Sequence, residues 1–376
     1  MKNKNKKRVL IVAGGTAGHV FPAIEVANKF YKNGYNISFV TDKRMYEFLS
    51  KKKHHLELGI DLFCFYGRGF SKNNYFYNIN SSFYLILGVY QSLINILFFR
   101  PQISIGFGGY ITVPILVVSH IFRINVFIHE GNSVVGRANK LLYLICKKMF
   151  INFEKVKTFE ESNNKLHFVG MPIKKDILKL SKLTYKPCKD GFLNLLITGG
   201  SLGAEIMATK ISLALVTLPI KIRKKLKIIQ QVRKENYSEL KKLYEKYNIN
   251  FRLENFIENM PSELSKADII ICRSGAATIS ENLIAGIPAI MIPLASSSDN
   301  HQFYNAEFVE KKGAGWLIRE NELSNENLLV NKLEKIFTNL ENLDRVSKTA
   351  KKLAILDSTD RIVRITSSYI EKNLEK

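Results

Sequence analysis

The stretches RVLIVAGGTAGHV at 8–20 and LNLLITGGSLGA at 193–204 decide the fold of this chain. Each is an apolar run followed by two glycines and by a predicted helix. A buried parallel strand that ends in such a turn leaves backbone N–H groups at the helix N-terminus, where the helix dipole adds partial positive charge. A single copy is weak evidence, because glycine turns often only pack a strand against its helix. Two copies, one in each half, predict two Rossmann-like domains that face a shared anionic ligand.

Length and patterning divide the chain in the same way. Its 376 residues exceed what one core usually supports, and 46% hydrophobic content is typical of globular α/β proteins. We expect an N-terminal domain over 1–172, a linker over 173–190, a C-terminal domain over 191–343, and a final helical segment over 344–376 that packs back across the junction. The apolar runs predict strands near 8–13, 36–41, 102–106, 124–128, 148–151, 193–198, 226–231, 251–253, 268–271 and 288–292.

The charge balance indicates an anionic partner. The chain has 56 Lys and Arg against 33 Asp and Glu, a net charge of +23, which suits nucleic acid, anionic lipid or a phosphorylated substrate. The alternative is a compositional bias of the source genome. The sequence has no basic helix with interleaved aromatics and no nucleic-acid-binding motif, so we expect no nucleic-acid partner. Its four scattered cysteines favour a reducing cytosol over a disulfide framework or thiolate metal site.

One segment, FYLILGVYQSLINILFF at 83–99, is apolar enough to raise the question of a membrane. It lies at the short end of what spans a bilayer, and a spanning helix there would split the first domain. We expect a buried or half-exposed core helix first, an in-plane membrane-docking helix second, and a transmembrane segment last. The apolar run at 9–13 is too short for a signal peptide and is read as the first strand.

The stretch from 272 to 305 is rich in candidate ligand groups. Ser274 and Gly275 close a predicted strand and open a helix, which gives a further anion-binding helix N-terminus. Glu281 lies six residues later, where its carboxylate could accept hydrogen bonds from the two hydroxyls of a ribose. The alternative is a solvated helix glutamate. In the polar loop beyond, His301, Gln302 and Asn305 could recognise sugar hydroxyls.

Five motifs together resemble one family. In chain order they are GGTAGHVFPA at 14–23, GFGGYITVP at 106–114, HEGNSVVGRANK at 129–140, GGSLGA at 199–204, and SGAATISE with HQFYNA from 274 onward. They are similar to the MurG family of peptidoglycan N-acetylglucosaminyltransferases, and the match covers nearly the whole chain. The resemblance implies an α/β protein of GT-B architecture, in which two Rossmann-like domains with parallel sheets face a central cleft.

The resemblance also implies an activity. It is the transfer of N-acetylglucosamine (GlcNAc) from UDP-GlcNAc to the 4-hydroxyl of the N-acetylmuramic acid (MurNAc) of lipid I, giving lipid II with inversion. The acceptor is undecaprenyl-pyrophosphoryl-MurNAc-pentapeptide in the cytoplasmic leaflet. Family members dock peripherally on that anionic membrane surface through an apolar patch ringed by cations, which would give region 75–99 a role. Contacts with other cell-wall synthesis proteins stay open.

Site residues follow from the resemblance in both domains. Ser201 and its loop would hold the diphosphate, the backbone of Ile257 would contact uracil, and Gln302 with Asn305 would bind GlcNAc hydroxyls. Without the resemblance, Ile257 would be assigned to the core. Further donor contacts in the first domain would be Thr16, Ala17, Gly18, Asn132 and Lys174. The nucleotide would be lined by Ala276, Ala277, Thr278, Ile279, Ser280 and Glu281. The acceptor side would comprise Gly14, Gly15, Gly108, Gly109 and Tyr110.

Three positions depart from the family pattern. Ala17 replaces a usual glycine in the first loop, which questions close backbone approach there. Gly131 replaces a usual glutamine beside Asn132. Lys174 replaces a customary arginine near the diphosphate, so it keeps the charge and loses the bidentate fork. We expect the donor site to be retained.

The reaction needs a base for the acceptor proton. His19 follows the first loop at the start of its helix, and the positive helix end favours the neutral imidazole that a base requires. Alternatively, His19 only positions a pyrophosphate or sugar. Glu130 is the rival base, or an orienting residue. The sequence contains no D-x-D motif, so we expect no essential metal and no cofactor, with UDP-GlcNAc as a substrate.

Three other functions stay open at this level. A GT-B transferase with a different lipid or natural-product acceptor would share the second-domain motifs, but not those at 106–114 and 129–140. A nucleotide-sugar-binding or membrane scaffold protein without catalysis would fit the departures at Ala17 and Lys174. An NAD-dependent oxidoreductase is suggested only by the glycine loops. The sequence lacks the G-x-G-x-x-G spacing that this last function requires. Asp42 lies somewhat far along the chain to be the partner acid expected at the end of the second strand.

Overall fold

The computed structural model describes residues 7–51, 55–67, 75–158, 164–200 and 205–374, without the side chains of 75–83, 85 and 372–374. The chain forms two compact units. Unit 1 comprises Met1–Lys174 and Asp357–Lys376, and unit 2 comprises Lys175–Leu356. Each unit is built on its own parallel sheet.

Unit 1 contains a seven-stranded parallel sheet in the order β3-β2-β1-β4-β5-β6-β7. The direction of strand addition reverses between β1 and β4, and such a switch point is where α/β sheets place their ligand sites. Its strands are β1 (Arg8–Val12), β2 (Asn36–Asp42), β3 (Asp61–Phe65), β4 (Ile103–Gly106), β5 (Asn125–Glu130), β6 (Lys148–Ile151) and β7 (Leu166–Phe168). Its helices are α1 (Ala17–Lys32), α2 (Lys43–Lys51), α3 (Tyr75–Phe99), α4 (Thr112–Ile121), α5 (Arg137–Leu142) and α15 (Ser358–Leu374).

The central strand β1 is buried on both faces, as its uninterrupted apolar run predicts. Val9 and Ile11 point into one core cluster, to which α15 contributes Ile362. Leu10 and Val12 point into the opposite cluster with residues of α3 and α4. Because successive side chains alternate across the sheet, β1 holds both helical layers and fixes the loop that follows it.

Unit 2 contains a six-stranded parallel sheet in the order β10-β9-β8-β11-β12-β13. Its strands are β8 (Leu193–Thr198), β9 (Leu226–Gln231), β10 (Asn250–Glu254), β11 (Ile269–Cys272), β12 (Ala289–Met291) and β13 (Gly315–Leu317). Its helices are α6 (Lys175–Leu178), α7 (Ser212–Thr217), α8 (Ile220–Arg223), α9 (Lys234–Lys246), α10 (Met260–Lys266), α11 (Ala276–Ala285), α12 (His301–Lys311), α13 (Glu326–Thr338) and α14 (Leu340–Leu353). A π-helical turn lies at Met207–Ile211, and 3₁₀ turns lie at Lys179–Lys182, Ser298–Asn300 and Glu320–Ser324.

Two predicted boundaries differ from the structure. The segment 173–190 is not a bare linker, because α6 and the following 3₁₀ turn pack on α11 and bury Ile177 and Leu180. The final segment is not one helix, because α14 ends at Leu353 and belongs to unit 2, whereas α15 belongs to unit 1. The chain thus passes from unit 2 to unit 1 within the short stretch between these two helices.

Candidate functional site

In unit 1, the loops that follow β1 and β4 lie against each other at the switch point of the sheet. The backbone N–H of Gly14 donates to Gly108 O at 3.3 Å. Gly109 has a φ of +89°, and a methyl group there would lie 2.3 Å from Gly14 O. Both the backbone conformation and the close approach therefore require glycine at position 109.

His19 on the first turn of α1 is held in one orientation by this loop. Its Nδ1 lies 3.1 Å from Gly14 O and 3.3 Å from Thr16 Oγ1. Because a carbonyl oxygen only accepts, Nδ1 carries the proton and Nε2 carries the lone pair. A methyl group at Gly108 would lie 3.1 Å from His19 Nε2, so the ring edge lies over that glycine. The half-buried imidazole presents an acceptor nitrogen at the switch point.

Asp42, the last residue of β2, anchors the same loop and was not among the predicted site residues. Its Oδ2 accepts from Gly15 N at 2.6 Å, and its Oδ1 accepts from Met45 N at 3.1 Å. The guanidinium of Arg44 donates to Gly15 O. The loop therefore already carries a buried carboxylate, which leaves Gly15 N–H bonded to protein rather than available to phosphate.

Glu130, at the end of β5, is almost fully buried and holds the next loop. Its Oε1 accepts from the backbone N and the Nδ2 of Asn132 at 3.0 and 3.2 Å. Its Oε2 accepts from Gly136 N and Asn139 Nδ2, both at 2.9 Å. Four donors fill the acceptor positions of one carboxylate. This geometry suits the orienting role of Glu130, which fixes Asn132, better than that of a base.

His129 is a buried neighbour whose role the sequence did not indicate. Its Nε2 donates to Gly170 O at 3.0 Å, and its ring stacks on Phe107 with centroids 5.3 Å apart. Burial lowers the pKa of His129 to about 4. The neutral ring links β5 to the loop after β4. It packs on Phe107, the neighbour of Gly108, and the edge of the His19 ring lies over Gly108.

The remaining predicted residues of unit 1 lie near this loop or on its surface. Ala17 and Gly18 form the first turn of α1, with Thr16 as the residue before it. Tyr110 is exposed. The ammonium group of Lys174 lies 4.7 Å from the centroid of the Phe21 ring on α1. A cation–π contact of this kind holds the lysine beside the helix that carries His19.

In unit 2, hydrogen bonds from α12 hold the turn between β11 and α11. The buried Ser274 hydroxyl donates to Gln302 O at 2.8 Å, and Asn305 Nδ2 donates to Ser274 O at 3.1 Å. Gln302 Oε1 accepts from Leu294 N at 3.0 Å. Asn305 is completely buried. The burial of Asn305 does not support its predicted contact with sugar hydroxyls, because its amide is used to hold the turn.

A half-buried ion pair, which the sequence analysis did not identify, fixes the loop after β12. Arg273 Nη1 donates to Ile292 O at 3.1 Å and pairs with Glu320 Oε1 at 2.5 Å. The other oxygen of Glu320 accepts from Ala295 N at 3.1 Å. The polar loop that leads to Gln302 is therefore held where it leaves β12.

The predicted nucleotide-binding residues divide by exposure. Ile257 is buried, so its predicted ligand contact can come only from its backbone. Ser201 and the rest of its loop, 201–204, lie outside the described residues. Along α11, whose first residue follows the N-cap Gly275, the buried members are Ala276, Ile279 and Ser280, and the half-buried members are Ala277, Thr278 and Glu281.

Unit 1 also carries an exposed apolar surface on α3. Ile86, Tyr90 and Phe98 are 71%, 61% and 85% exposed, whereas Ser92 and Ile96 on the same helix are buried. The helix is therefore a half-exposed core helix. Among the described residues, no helix combines the length and hydropathy needed to cross a bilayer.

Comparisons with known proteins agree with this architecture. Residues 9–151 match the glycosyltransferase family 28 N-terminal domain, and residues 194–362 match the glycosyltransferase family 28 C-terminal domain. A curated protein from Rickettsia felis is 34% identical over 353 residues, which cover 92% of this chain and 95% of the relative. One from Rickettsia canadensis is 32% identical over 343 residues, covering 91% and 94%. Both are named UDP-N-acetylglucosamine–N-acetylmuramyl-(pentapeptide) pyrophosphoryl-undecaprenol N-acetylglucosamine transferase.

Solved structures give the same result. MurG from Acinetobacter baumannii superposes with a TM-score of 0.75 at 26% identity, covering 96% of this chain and 99% of that one. A UDP-GlcNAc 2-epimerase from Neisseria meningitidis, with a TM-score of 0.67 at 14% identity over 96% and 100% of the two chains, shares the fold alone. The predicted resemblance and fold class are confirmed: the chain belongs to the MurG family, within glycosyltransferase family 28, and has the two Rossmann-like domains of the GT-B fold.

Proposed function

We propose that this chain transfers GlcNAc from UDP-GlcNAc to the 4-hydroxyl of the MurNAc of lipid I, forming lipid II with inversion. The observation that carries the proposal is the orientation of His19. Its Nδ1–H is bound to Gly14 O, so Nε2 is an acceptor at the switch point of the acceptor-side sheet. The named activity of the curated relatives supports the substrates.

In this proposal His19 Nε2 accepts the proton of the acceptor hydroxyl while its oxygen attacks the anomeric carbon. The bond from that carbon to the β-phosphate oxygen breaks, and UDP leaves with the bonding electrons. One displacement inverts the configuration. Glu130 does not take the proton, because both of its oxygens accept hydrogen bonds from the loop that positions Asn132.

The donor binds to unit 2 in this proposal. The first backbone N–H groups of α11 meet the nucleotide diphosphate together with the loop at 199–204, and Glu281 accepts from the ribose hydroxyls. Gln302 contacts the GlcNAc hydroxyls. Asn305 holds Gln302 in place indirectly, because it donates to Ser274 O and the Ser274 hydroxyl donates to Gln302 O.

We propose that neither a metal ion nor a cofactor is required. In the part of the chain that the structure describes, no cluster of three or more His, Cys, Asp or Glu side chains could hold a metal. Helix N-termini and cations would then stabilise the departing UDP. Turnover should stay within twofold after dialysis against EDTA, and dependence on added Mg²⁺ would contradict the proposal.

We propose that the enzyme works as a peripheral protein on the anionic cytoplasmic face of the membrane. The exposed side chains of α3 would enter the interface, and the exposed Arg100 and Arg123 at the ends of α3 and α4 would face the headgroups. Phe98→Glu should weaken binding to vesicles of anionic lipid. Leu328→Glu, at an exposed position on α13 of unit 2, is the matched control.

The activity is tested with purified protein, UDP-GlcNAc and a soluble lipid I analogue. UDP should be released only when the analogue is present, and UDP-glucose should be a poor donor. A folded protein that binds UDP but shows no turnover would contradict the transferase function. It would favour a binding protein without catalysis.

A further inference from the structure

A single peptide group connects a buried carboxylate to the imidazole of His19. The Gly14–Gly15 peptide accepts from His19 Nδ1 through its carbonyl oxygen at 3.1 Å. The N–H of the same peptide donates to Asp42 Oδ2 at 2.6 Å. A methyl group at Gly14 would lie only 3.0 Å from Asp42 Oδ2 and 2.7 Å from Ile111 Cδ1, so the carboxylate reaches this peptide because residue 14 is glycine.

This arrangement has an electrostatic consequence. A carboxylate that accepts from an amide N–H draws that hydrogen and increases the negative charge on the carbonyl oxygen of the same amide. The carbonyl then becomes a stronger acceptor for Nδ1–H. Asp42 is only 6% exposed, so its charge is weakly screened by solvent. The peptide occupies the position that a carboxylate takes directly when it orients a catalytic histidine.

We propose that Asp42 is a positioning residue that orients His19 through the Gly14–Gly15 peptide and supports it electrostatically during proton transfer. The inference rests on the proposed function, in which His19 is the base. When the acceptor proton moves to Nε2, Nδ1 keeps its own proton and its bond to Gly14 O. The Asp42 carboxylate stabilises the imidazolium that forms.

A simpler role for Asp42 is to cap α2, because its Oδ1 also accepts from Met45 N at 3.1 Å. The two roles can be separated by substitution. Asp42→Ser keeps a good N-cap for α2 but is too short to reach Gly15 as well. Asp42→Asn keeps the size of the side chain, but its neutral amide accepts from only one of the two N–H groups.

The first measurement is steady-state turnover of both variants. We expect kcat to fall about tenfold or more, as for the loss of one charge-assisted hydrogen bond, with KM for UDP-GlcNAc within twofold. In a His19→Ala background, neither substitution should lower kcat further. The matched control is Asp268→Asn, at a buried carboxylate that accepts from Asn194 N at 2.7 Å before β11 of unit 2. It should lower stability and leave kcat within twofold.

The second measurement is the pH profile of kcat/KM. Charged or titratable groups around the loop that holds His19 are Asp42 on β2 and Arg44 on α2, both bonded to Gly15, and His129 on β5, which interacts electrostatically with His19. Loss of the Asp42 charge disfavours the imidazolium, so the acidic limb should move to lower pH. If Asp42 only capped α2, the acidic limb of the pH profile would not move in the variants.

The third measurement does not depend on turnover. In protein labelled with ¹⁵N-histidine, the His19 signals, identified by their loss in His19→Ala, should report a proton on Nδ1 in the wild type. They should report a mixture of tautomers in Asp42→Asn. Failure of the proposed function would remove turnover in the wild type but not this signature. Wild-type kcat and an unchanged tautomer in folded Asp42→Ser and Asp42→Asn would overturn the role of Asp42.

Discussion

The turn after β1 and the turn after β11 share one local pattern, a buried parallel strand that leads through glycine into a helix, and they carry different chemistry. After β1, the N–H of Gly15 is bound to the carboxylate of Asp42. After β11, the groups that hold Ser274 are neutral, a backbone carbonyl and the amide of Asn305. A negative charge disfavours a phosphate at the first turn and supports an imidazole there. The second helix start keeps its attraction for anions.

The difference indicates that the residue at the end of the neighbouring strand determines whether such a turn binds an anion or holds an imidazole. Asp42 ends β2 beside β1, whereas Thr198 ends β8 beside β11. Substitutions at the first turn should therefore change the rate of the chemical step. Substitutions at the second should change the affinity for the donor.

The largest effect is expected for His19→Ala. Loss of the proposed base should lower kcat on the order of 10³-fold, with donor affinity changed less than threefold. Turnover with a lipid I analogue and calorimetric titration with UDP-GlcNAc measure the two quantities. A loss of donor affinity that accounts for the loss of activity would instead place the first turn in the donor site.

The next effect concerns the pH dependence of stability in unit 1. His129 has its pKa lowered by burial from the ordinary 6.5 to about 4, so between these values the unfolded state binds a proton that the folded state does not. Stability from this group is therefore present above about pH 6.5 and is lost as pH falls toward 4, by up to about 3 kcal/mol.

Unit 2 should respond differently, because burial raises the pKa of Asp268 and gives the opposite sign. The single tryptophan, Trp316 in β13, reports unfolding of unit 2 by its fluorescence, and hydrogen exchange of β5 amides reports unit 1. His129→Gln places a neutral amide near the Nε2 position and should flatten the slope for unit 1. Equal slopes in both units of the wild type would contradict this assignment.

The sequence predicted the central strands of both sheets because their continuous apolar runs reflect burial on two faces. The strands that it missed, β3, β7 and β13, are all at sheet edges. An edge strand has one neighbour and a half-exposed face, as the mixed burial of β3 shows, so its pattern is weak. The edge strand β10 was predicted all the same, so an edge position weakens the sequence pattern without always removing it.

For the candidate site, the sequence indicated residues that lie beside a glycine or on a helix start. It missed Asp42 and Arg273, whose partners are distant in sequence. Asp42 reaches Gly15 across 27 residues only because β2 pairs with β1. Arg273 reaches Glu320 only because β12 pairs with both β11 and β13, after which these two residues lie. The strand order of each sheet brings these groups together, and a local sequence pattern does not specify that order.

A third test concerns Gly109→Ala. The substitution forces alanine to a φ of +89° and puts its methyl group 2.3 Å from Gly14 O, the acceptor that orients His19. We expect kcat to fall between about tenfold and 100-fold, because displacement of the base by a fraction of an ångström misaligns proton transfer.

The matched control for that test is Gly34→Ala, at a φ of +87° with open space around the position. It should cost about 1 kcal/mol of stability through the same backbone strain and leave kcat unchanged. If both variants lost activity equally, strain alone would explain the effect, and the contact with Gly14 would have no role.

The smallest effect is expected at the second turn, for Gln302. Gln302→Ala should raise KM for UDP-GlcNAc about tenfold or less and leave kcat within threefold, because in the proposed function the side chain contacts the bound sugar and not the reacting proton. Part of this effect could come from the lost bond to Leu294 N, which Gln302 Oε1 accepts at 3.0 Å. Gln302→Glu keeps that acceptor and removes only the amide donor. If donation to a sugar hydroxyl matters, both variants raise KM; if only the loop matters, Gln302→Glu behaves as the wild type. A fall in kcat without a change in KM would contradict the comparison, in which the turn after β11 affects donor affinity and the turn after β1 affects the chemical step.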